Sequence, residues 1–435
     1  MSDHTNEETD DRDLGGATGR MNQDRENKEN RPGKSSRADG SGTGKLSPQS
    51  TLQKMAEFSG EVSIFESQSL TLPGEKHAIS SDRFETLTFP ETLADDKGQI
   101  SRIEIKERKR RRLKEVKDSH AELRKLSEEE SMMSRYQKLS SIKKQEAQRD
   151  PLVGAVLADK YNINGIVGKG ANATVYRANR LSDNATVAIK TIRNKSFEDV
   201  VRFNLEIEAM ERMNHPSLVQ YIDCIRLDQG NIFLVMELIK GISLQEVLKI
   251  HGPIVDEETI WDILFQISDA LKHAHEKGIV HRDLKSGNVV LSKEINQPLS
   301  VKVLDFGLAK HHKAANITMH GTTLGSPLYM SPEQCRGEEP TAQSDVYSIG
   351  IMTYEVVSGV VPFIGETITE IMAAHCDPEI THIPVSEVCP ELKAADLFDR
   401  LLYKALNVHT AFRFQDMTEF QESLNHWIET VRSSG

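Results

Sequence analysis

The chain has 435 residues, with 54 Lys/Arg against 66 Asp/Glu and a formal net charge of −12, a length that accommodates two or three domains of ~100–200 residues each. Hydrophobic residues, alanine and cysteine included, make up 37% and charged residues 28%; that is low against the ~45–50% of a chain packed throughout on a count including glycine, so part of the length has no core. The acidic balance disfavours nonspecific nucleic-acid binding through the folded part, and no run of ~18 apolar residues is present to read as a membrane-spanning helix.

Composition divides the chain near residue 150. Residues 1–150 hold only five aromatic residues (Phe58, Phe65, Phe84, Phe89 and Tyr136) and are nearly neutral, with 28 basic against 29 acidic residues. Residues 151–435 hold the other 19 aromatics and 26 basic against 37 acidic residues. The core is therefore expected in the C-terminal two-thirds. Cys224, Cys335, Cys376 and Cys389 show no CxxC spacing, and the opening MSDHTNEETDDRD lacks the apolar stretch of a signal peptide, so reduced thiols and a cytoplasmic location are expected.

In chain order, residues 1–56 are rich in Gly, Ser, Asn and Asp, too poor in apolar surface to offset the entropy of ordering, and read as a disordered tail. Residues 57–100 carry scattered apolar residues in a Ser/Thr-rich setting and read as a linker or weak strand region. Residues 101–150 form a charged helical segment, with the basic run KERKRRRLKEVK at 106–117 followed by the acidic Glu128, Glu129 and Glu130. Sustained heptads are absent. A solvated helix accounts for this run; a nuclear-import signal and an anionic partner, a membrane surface or a nucleic acid, are the alternative readings.

Beyond Asp150-Pro151 the apolar pattern alternates, predicting strands over 161–167, 174–178 and 185–192. Gly168-Lys169-Gly170-Ala171-Asn172-Ala173-Thr174-Val175 lies between the first two. An ordinary hairpin turn uses such a Gly-x-Gly pair, and a strand rather than a helix follows, which excludes a dinucleotide fingerprint. Fifteen residues after Val175 comes Lys190, in Val187-Ala188-Ile189-Lys190. A lone ammonium among apolar neighbours needs a partner, and Glu206, in the amphipathic segment 197–213, is the natural one. Further on, Ile279-Val280-His281-Arg282-Asp283-Leu284-Lys285-Ser286-Gly287-Asn288-Val289-Val290 places an acid, two cations and an amide between apolar runs, and Leu304-Asp305-Phe306-Gly307 follows. His273 and His275, two apart on a predicted helix, fall on different faces and do not read as metal ligands.

Four such blocks in this order form a signature set, and residues 161–430 resemble the serine/threonine protein kinases. The bacterial eukaryotic-like (Hanks-type) branch is the most similar, on Tyr329-Met330-Ser331-Pro332-Glu333-Gln334 and Asp345-Val346-Tyr347-Ser348-Ile349-Gly350. The resemblance implies an α+β, bilobal protein-kinase-like fold, with a small β-rich N-lobe and a mainly helical C-lobe. It also implies an ATP- and Mg²⁺-dependent enzyme acting on Ser/Thr hydroxyls of protein substrates. Lys190 would hold the α/β-phosphates and Glu206 would hold Lys190, under a cover formed by Gly168, Gly170 and Ala173. Asp305 and Asn288 would hold the metal, Asp283 would take the hydroxyl proton, and Lys285 would neutralise the transferred group. Adenine would lie between Val175 and Ala188 above and Val290 below, its polar edge reading the backbone of Glu237 and Ile239, with Met236 gating the back of the slot.

Glu333 and Arg413 match the family's buried ion pair, and Asp345 the acid that holds the His281-Arg282-Asp283 backbone. Thr322, with Thr323 as the nearby alternative, stands where the family's activating phosphothreonine does, with Arg282 and Lys310 as the cations that would bridge its phosphate. Two residues depart from the family pattern: Ala173 replaces the third loop glycine and Tyr347 a tryptophan common in eukaryotic members. A kinase-fold scaffold acting through residues 1–150 and a small-molecule kinase are the competing readings.

Overall fold

The computed structural model describes residues 150–170, 173–192, 196–227, 231–292, 298–307 and 327–434. The expected tail, linker and charged helical segment lie outside the described residues, apart from Asp150, and so do Lys310, Thr322 and Thr323.

Six antiparallel strands form the first layer: β1 (Val156–Leu157), β2 (Tyr161–Lys169), β3 (Ala173–Arg180), β4 (Thr186–Ile192), β5 (Tyr221–Leu227) and β6 (Asn231–Glu237), in the order β1-β2-β3-β4-β6-β5. β2 and β3 both run further into their connecting hairpin than the alternating pattern predicts. The Gly170 N–H closes that hairpin on the Ala173 carbonyl at 2.9 Å. Side-chain alternation assigns the two faces. Ile163, Tyr176, Ala178, Val187 and Ile189 pack together on one of them. Val175, Ala188 and Met236 lie on the other, in the large core shared with the helices, and Lys190, two residues beyond Ala188, takes that second face.

Helix α1 (Phe197–Arg212) begins at Ser196, whose hydroxyl accepts the Asp199 N–H, as an N-cap does. Its buried residues Phe203, Glu206, Ile207 and Met210 recur at helical spacing, so the one carboxylate among them faces inward with the apolar stripe.

A second, three-stranded sheet is built from β7 (Ile242–Ser243), β8 (Val289–Ser292) and β9 (Ser300–Val303). The rest is helical: α2 (Leu244–His251), α3 (Glu257–Glu276), α4 (Pro332–Cys335), α5 (Ala342–Ser358), α6 (Ile368–Cys376), α7 (Val385–Val388), α8 (Ala395–Ala405) and α9 (Met417–Ser433). Every residue of α5 from Ser344 to Ser358 is buried, which makes it the central post of this lobe. It stops at Gly359, whose φ of +78° supplies the left-handed C-cap. No helix among the described residues is long and apolar enough to cross a membrane.

Candidate active site

The sheet and α1 bring Lys190 and Glu206 together. Lys190 Nζ lies 2.5 Å from Glu206 Oε1 and 2.9 Å from Asp305 Oδ1, and both Lys190 and Glu206 are more than nine-tenths buried. Burial alone would lower the ammonium's pKa, but the Asp305 and Glu206 carboxylates overcome it and the pKa is raised. Burial raises the Glu206 pKa, and the nearby Asp305 charge adds to the effect against the pull of Lys190. One cation thus stands between two carboxylates, a cluster with a surplus negative charge suited to a further cation.

The second constellation is the loop before β8. Lys285 Nζ is 3.1 Å from Asp283 Oδ2, and Asn288 Nδ2 donates to the Asp283 carbonyl at 2.8 Å. Asp345, 1% exposed, accepts from the backbone N–H of His281 at 2.7 Å and of Arg282 at 3.0 Å, the role expected of it. Burial would raise its pKa, but the hydrogen bond and charge of His275, with His281, hold it below the usual carboxylate range. Arg282 needs that grip, because its φ of +68° is uncommon for a non-glycine residue. Its carbonyl is held in turn by Gln334 Nε2 at 2.9 Å.

Asp305 is brought to the same place by packing. Phe306 packs against the His281 ring at a tilt of 33°, with the ring centres 4.6 Å apart, and burial lowers the His281 pKa, favouring the neutral ring. The Gly307 N–H donates to the His281 carbonyl at 2.7 Å. A Cβ on Gly307 would meet the Asp283 Cβ at 2.7 Å, so only glycine allows the Asp305 and Asp283 segments to approach this closely.

The residues expected to flank adenine are all buried. Val175, Ala188, Met236, Ile239 and Val290 are each no more than 8% exposed, with Ala188 paired to Met236 and Val187 to Glu237 across β4 and β6. Gly168 pairs with Val175 beside a bulge in β2, and Ala173 pairs with Ile192. Arg282 Nη2 lies 2.8 Å from Glu339 Oε1, a partner the sequence reading did not anticipate; it gives this arginine a reason to be there independent of any phosphate on Thr322.

Several functional neighbours were missed. Lys302 Nζ holds Glu237 Oε1 at 2.6 Å and the Leu218 carbonyl at 3.1 Å, fixing the segment that would read adenine. Its only signal was a lone cation alternating with Val301 and Val303. His275, set aside as a metal ligand, instead lies 2.8 Å from Asp345. Ser286, Tyr329 and Glu355 form a buried polar cluster that no motif announced.

Asp305 and Asn288, with Asp283 beside them, offer hard oxygen donors. Among the described residues no group of three or more His, Cys, Asp or Glu forms a cage made of protein alone. A magnesium ion that shares its coordination with substrate phosphates needs only one or two carboxylates, so the residues fit that ion.

The protein kinase domain family matches residues 161–428, and the chain belongs to that family. Its fold is the protein-kinase fold, and its relatives include bacterial serine/threonine kinases of the Hanks type. It is 33% identical to the serine/threonine-protein kinase pkn3 of Myxococcus xanthus over 63% of this chain and 51% of that protein. It is also 33% identical to the serine/threonine-protein kinase PknB of Mycolicibacterium smegmatis, over 62% of this chain and 43% of that one. The chain spans about half the length of the curated relatives it matches. Among solved structures it is similar to the kinase domain of Mycobacterium tuberculosis PknI, at 23% identity and a TM-score of 0.48, covering 63% of this chain and 98% of that one.

Proposed function

We propose that the chain is an ATP- and Mg²⁺-dependent serine/threonine protein kinase. The observation that carries this reading is Lys190 held between Glu206 and Asp305, while Asp283 stands with Lys285 and Asn288 in the adjoining loop. Phosphoryl transfer asks mainly for positioning and charge neutralisation. Lys190 orients the α/β-phosphates. Asp283 orients the substrate hydroxyl and accepts its proton as the oxygen attacks the γ-phosphorus and the bond to the β-phosphate oxygen breaks. Lys285 stabilises charge on the moving group, and its place two residues after Asp283 supports Ser/Thr acceptors. When bound, magnesium neutralises charge on the phosphate oxygens, and Asp305 and Asn288 are the residues that hold it.

Incubating the full chain with radiolabelled ATP, Mg²⁺ and a generic basic protein, with Asp305→Asn as the blank, tests the reading. Label on phosphoserine or phosphothreonine is expected; predominant phosphotyrosine, or equal labelling by the variant, overturns it. Regulation is proposed at Thr322, with Thr323 as alternative. Mass spectrometry should find phosphate there in the active chain and not in Asp283→Asn, and replacing both threonines with alanine should lower activity at least about tenfold, a bias of ~1.4 kcal/mol toward the active state. A cytoplasmic setting is consistent with the four free thiols.

A further inference from the structure

β9 places Lys302 between Val301 and Val303, both fully buried, and its own side chain is mostly buried. An ammonium so placed needs partners to offset its lost hydration. It finds Glu237 Oε1 at 2.6 Å and the Leu218 carbonyl at 3.1 Å. Glu237 ends β6 and is fastened again by the segment between α1 and β5. Its Oε1 accepts the Gln220 N–H at 2.8 Å, and its own N–H donates to the Gln220 carbonyl at 3.0 Å. Backbone and side chain of Glu237 are both held, and Lys302 supplies the charge that keeps the carboxylate in place.

These contacts meet at the residues expected to flank a nucleobase. Lys302 pairs with Val290 across β8 and β9, which puts the two side chains on one face of that sheet. Ile239, Val290 and Leu304 pack as one apolar cluster, with Val219 against it, and the Val303 N–H donates to the Ser217 carbonyl at 2.9 Å. Apolar contacts hold by area and carry no direction, whereas a charge-assisted hydrogen bond fixes distance and angle. Lys302 is thus a directional tie between the strand that leads into Asp305 and the backbone from Glu237 to Ile239.

We propose, resting on the kinase reading, that Lys302 is a positioning residue for base selection, holding the backbone from Glu237 to Ile239 so that it takes adenine and rejects guanine. Adenine offers an amine donor at C6 beside a ring-nitrogen acceptor; guanine offers the reverse, a carbonyl acceptor beside an N–H donor. A backbone edge matched to the first meets the second with acceptor against acceptor and donor against donor. Such a site rejects the wrong base because polar groups are left unpaired. That penalty holds only while the edge cannot turn or slide to meet the other pattern. The phosphates are met elsewhere, by Lys190 and by the metal on Asp305 and Asn288, so loss of the Lys302 tie weakens base reading and spares phosphate binding.

The test titrates the full chain and its Lys302 variants with ATP, GTP and inorganic tripolyphosphate, each with Mg²⁺, and reads Kd from the rise in melting temperature. The parent should prefer ATP to GTP by about a hundredfold or more. Lys302→Met should weaken ATP about tenfold and leave GTP and tripolyphosphate nearly unchanged, so the preference falls by the same factor. Lys302→Arg, which keeps a cationic donor for Glu237, should retain most of the preference. Lys302→Gln, of similar length and without the charge, carries the same comparison if the methionine variant does not fold. An unchanged preference in the uncharged variants, an equal loss for all three ligands, or a parent that binds ATP and GTP alike would each overturn this inference alone. A parent that binds no ATP would overturn the kinase reading and this inference with it.

Discussion

Two buried ion pairs, one in each lobe, show how this fold separates chemistry from architecture. Arg413 meets Glu333 through two parallel contacts of 2.9 and 3.1 Å, and its remaining donors go to the carbonyls of Asn407, Gln343 and Val408. Ser344 adds a 2.7 Å hydrogen bond to Glu333. Burial would raise the Glu333 pKa, but those contacts hold it low. Lys190 instead faces two carboxylates across two elements, in a cluster whose charge is not balanced. The first pair is satisfied within the chain and holds α4 to the end of the helical lobe. The second keeps a surplus that no cation among the described residues is shown to balance, which is why a buried pair alone is weak evidence for either role.

The largest effect comes from breaking the unbalanced cluster. Lys190→Met and Asp305→Asn should each lower phosphotransfer ~10²–10⁴-fold, about 3–5 kcal/mol of transition-state stabilisation, in a steady-state assay, while circular dichroism stays that of the parent. Breaking the satisfied pair should do the reverse. Arg413→Ala leaves Glu333 buried without its cation and should cost about 3–5 kcal/mol of stability, read by denaturant unfolding, with activity per folded molecule little changed. Equal losses of stability in both lobes would erase the distinction.

Much of this contrast was legible in the sequence. Alternation in β3 and β4 put Lys190 on the face of Val175 and Ala188, and 3.6-residue spacing in α1 put Glu206 among Phe203, Ile207 and Met210, because such periodicities are local properties of the chain. Asp345 and the pair Glu333–Arg413 were legible only through resemblance, since 80 residues separate the two partners. Lys302, Gln334 and the Ser286–Tyr329–Glu355 cluster were not legible. Their partners are set by how β9, α4 and α5 pack, and a single polar residue in each carries no period to read.

That cluster sharpens the comparison, because it holds a buried carboxylate with no ion pair among the described residues. Glu355 accepts from Tyr329 Oη at 2.7 Å and Ser286 Oγ at 3.2 Å, and burial pushes its pKa up to about 7. Its folded-state pKa lies above the unfolded ~4.3, so the folded chain holds this proton more tightly, and stability falls as pH rises between those values. Glu355→Gln removes the titration. The variant should gain on the parent by about 3 kcal/mol between pH 5 and pH 8, measured as the difference in denaturant midpoints at the two values. A pH-independent difference would show that Glu355 is charged throughout or that its proton is not coupled to folding.

The smallest effect lies at the edge of the described fold, where a carboxylate is half-buried and only partly paired. Asp150 Oδ1 lies 3.2 Å from the Tyr176 hydroxyl and accepts the Leu152 N–H at 3.2 Å, and Oδ2 lies 3.3 Å from Lys169 Nζ. It thereby pins the entering chain to β2 and β3, beside a cavity of about 530 Å³ lined in part by Leu152, Leu157, Ile163 and Phe233. Water screens this site more than the two buried pairs, so Asp150→Ala should cost about 1 kcal/mol, typical of one net hydrogen bond with a weak ion pair. Removing residues 1–149 keeps these contacts, whereas extending the cut through Asp150 removes them. The first truncation should unfold cooperatively within about 1 °C of the full chain and the second a few degrees lower, as ~1 kcal/mol implies for a domain of this size. Scanning calorimetry checks both, and a first truncation that melts without a cooperative transition would place part of residues 1–149 in the core.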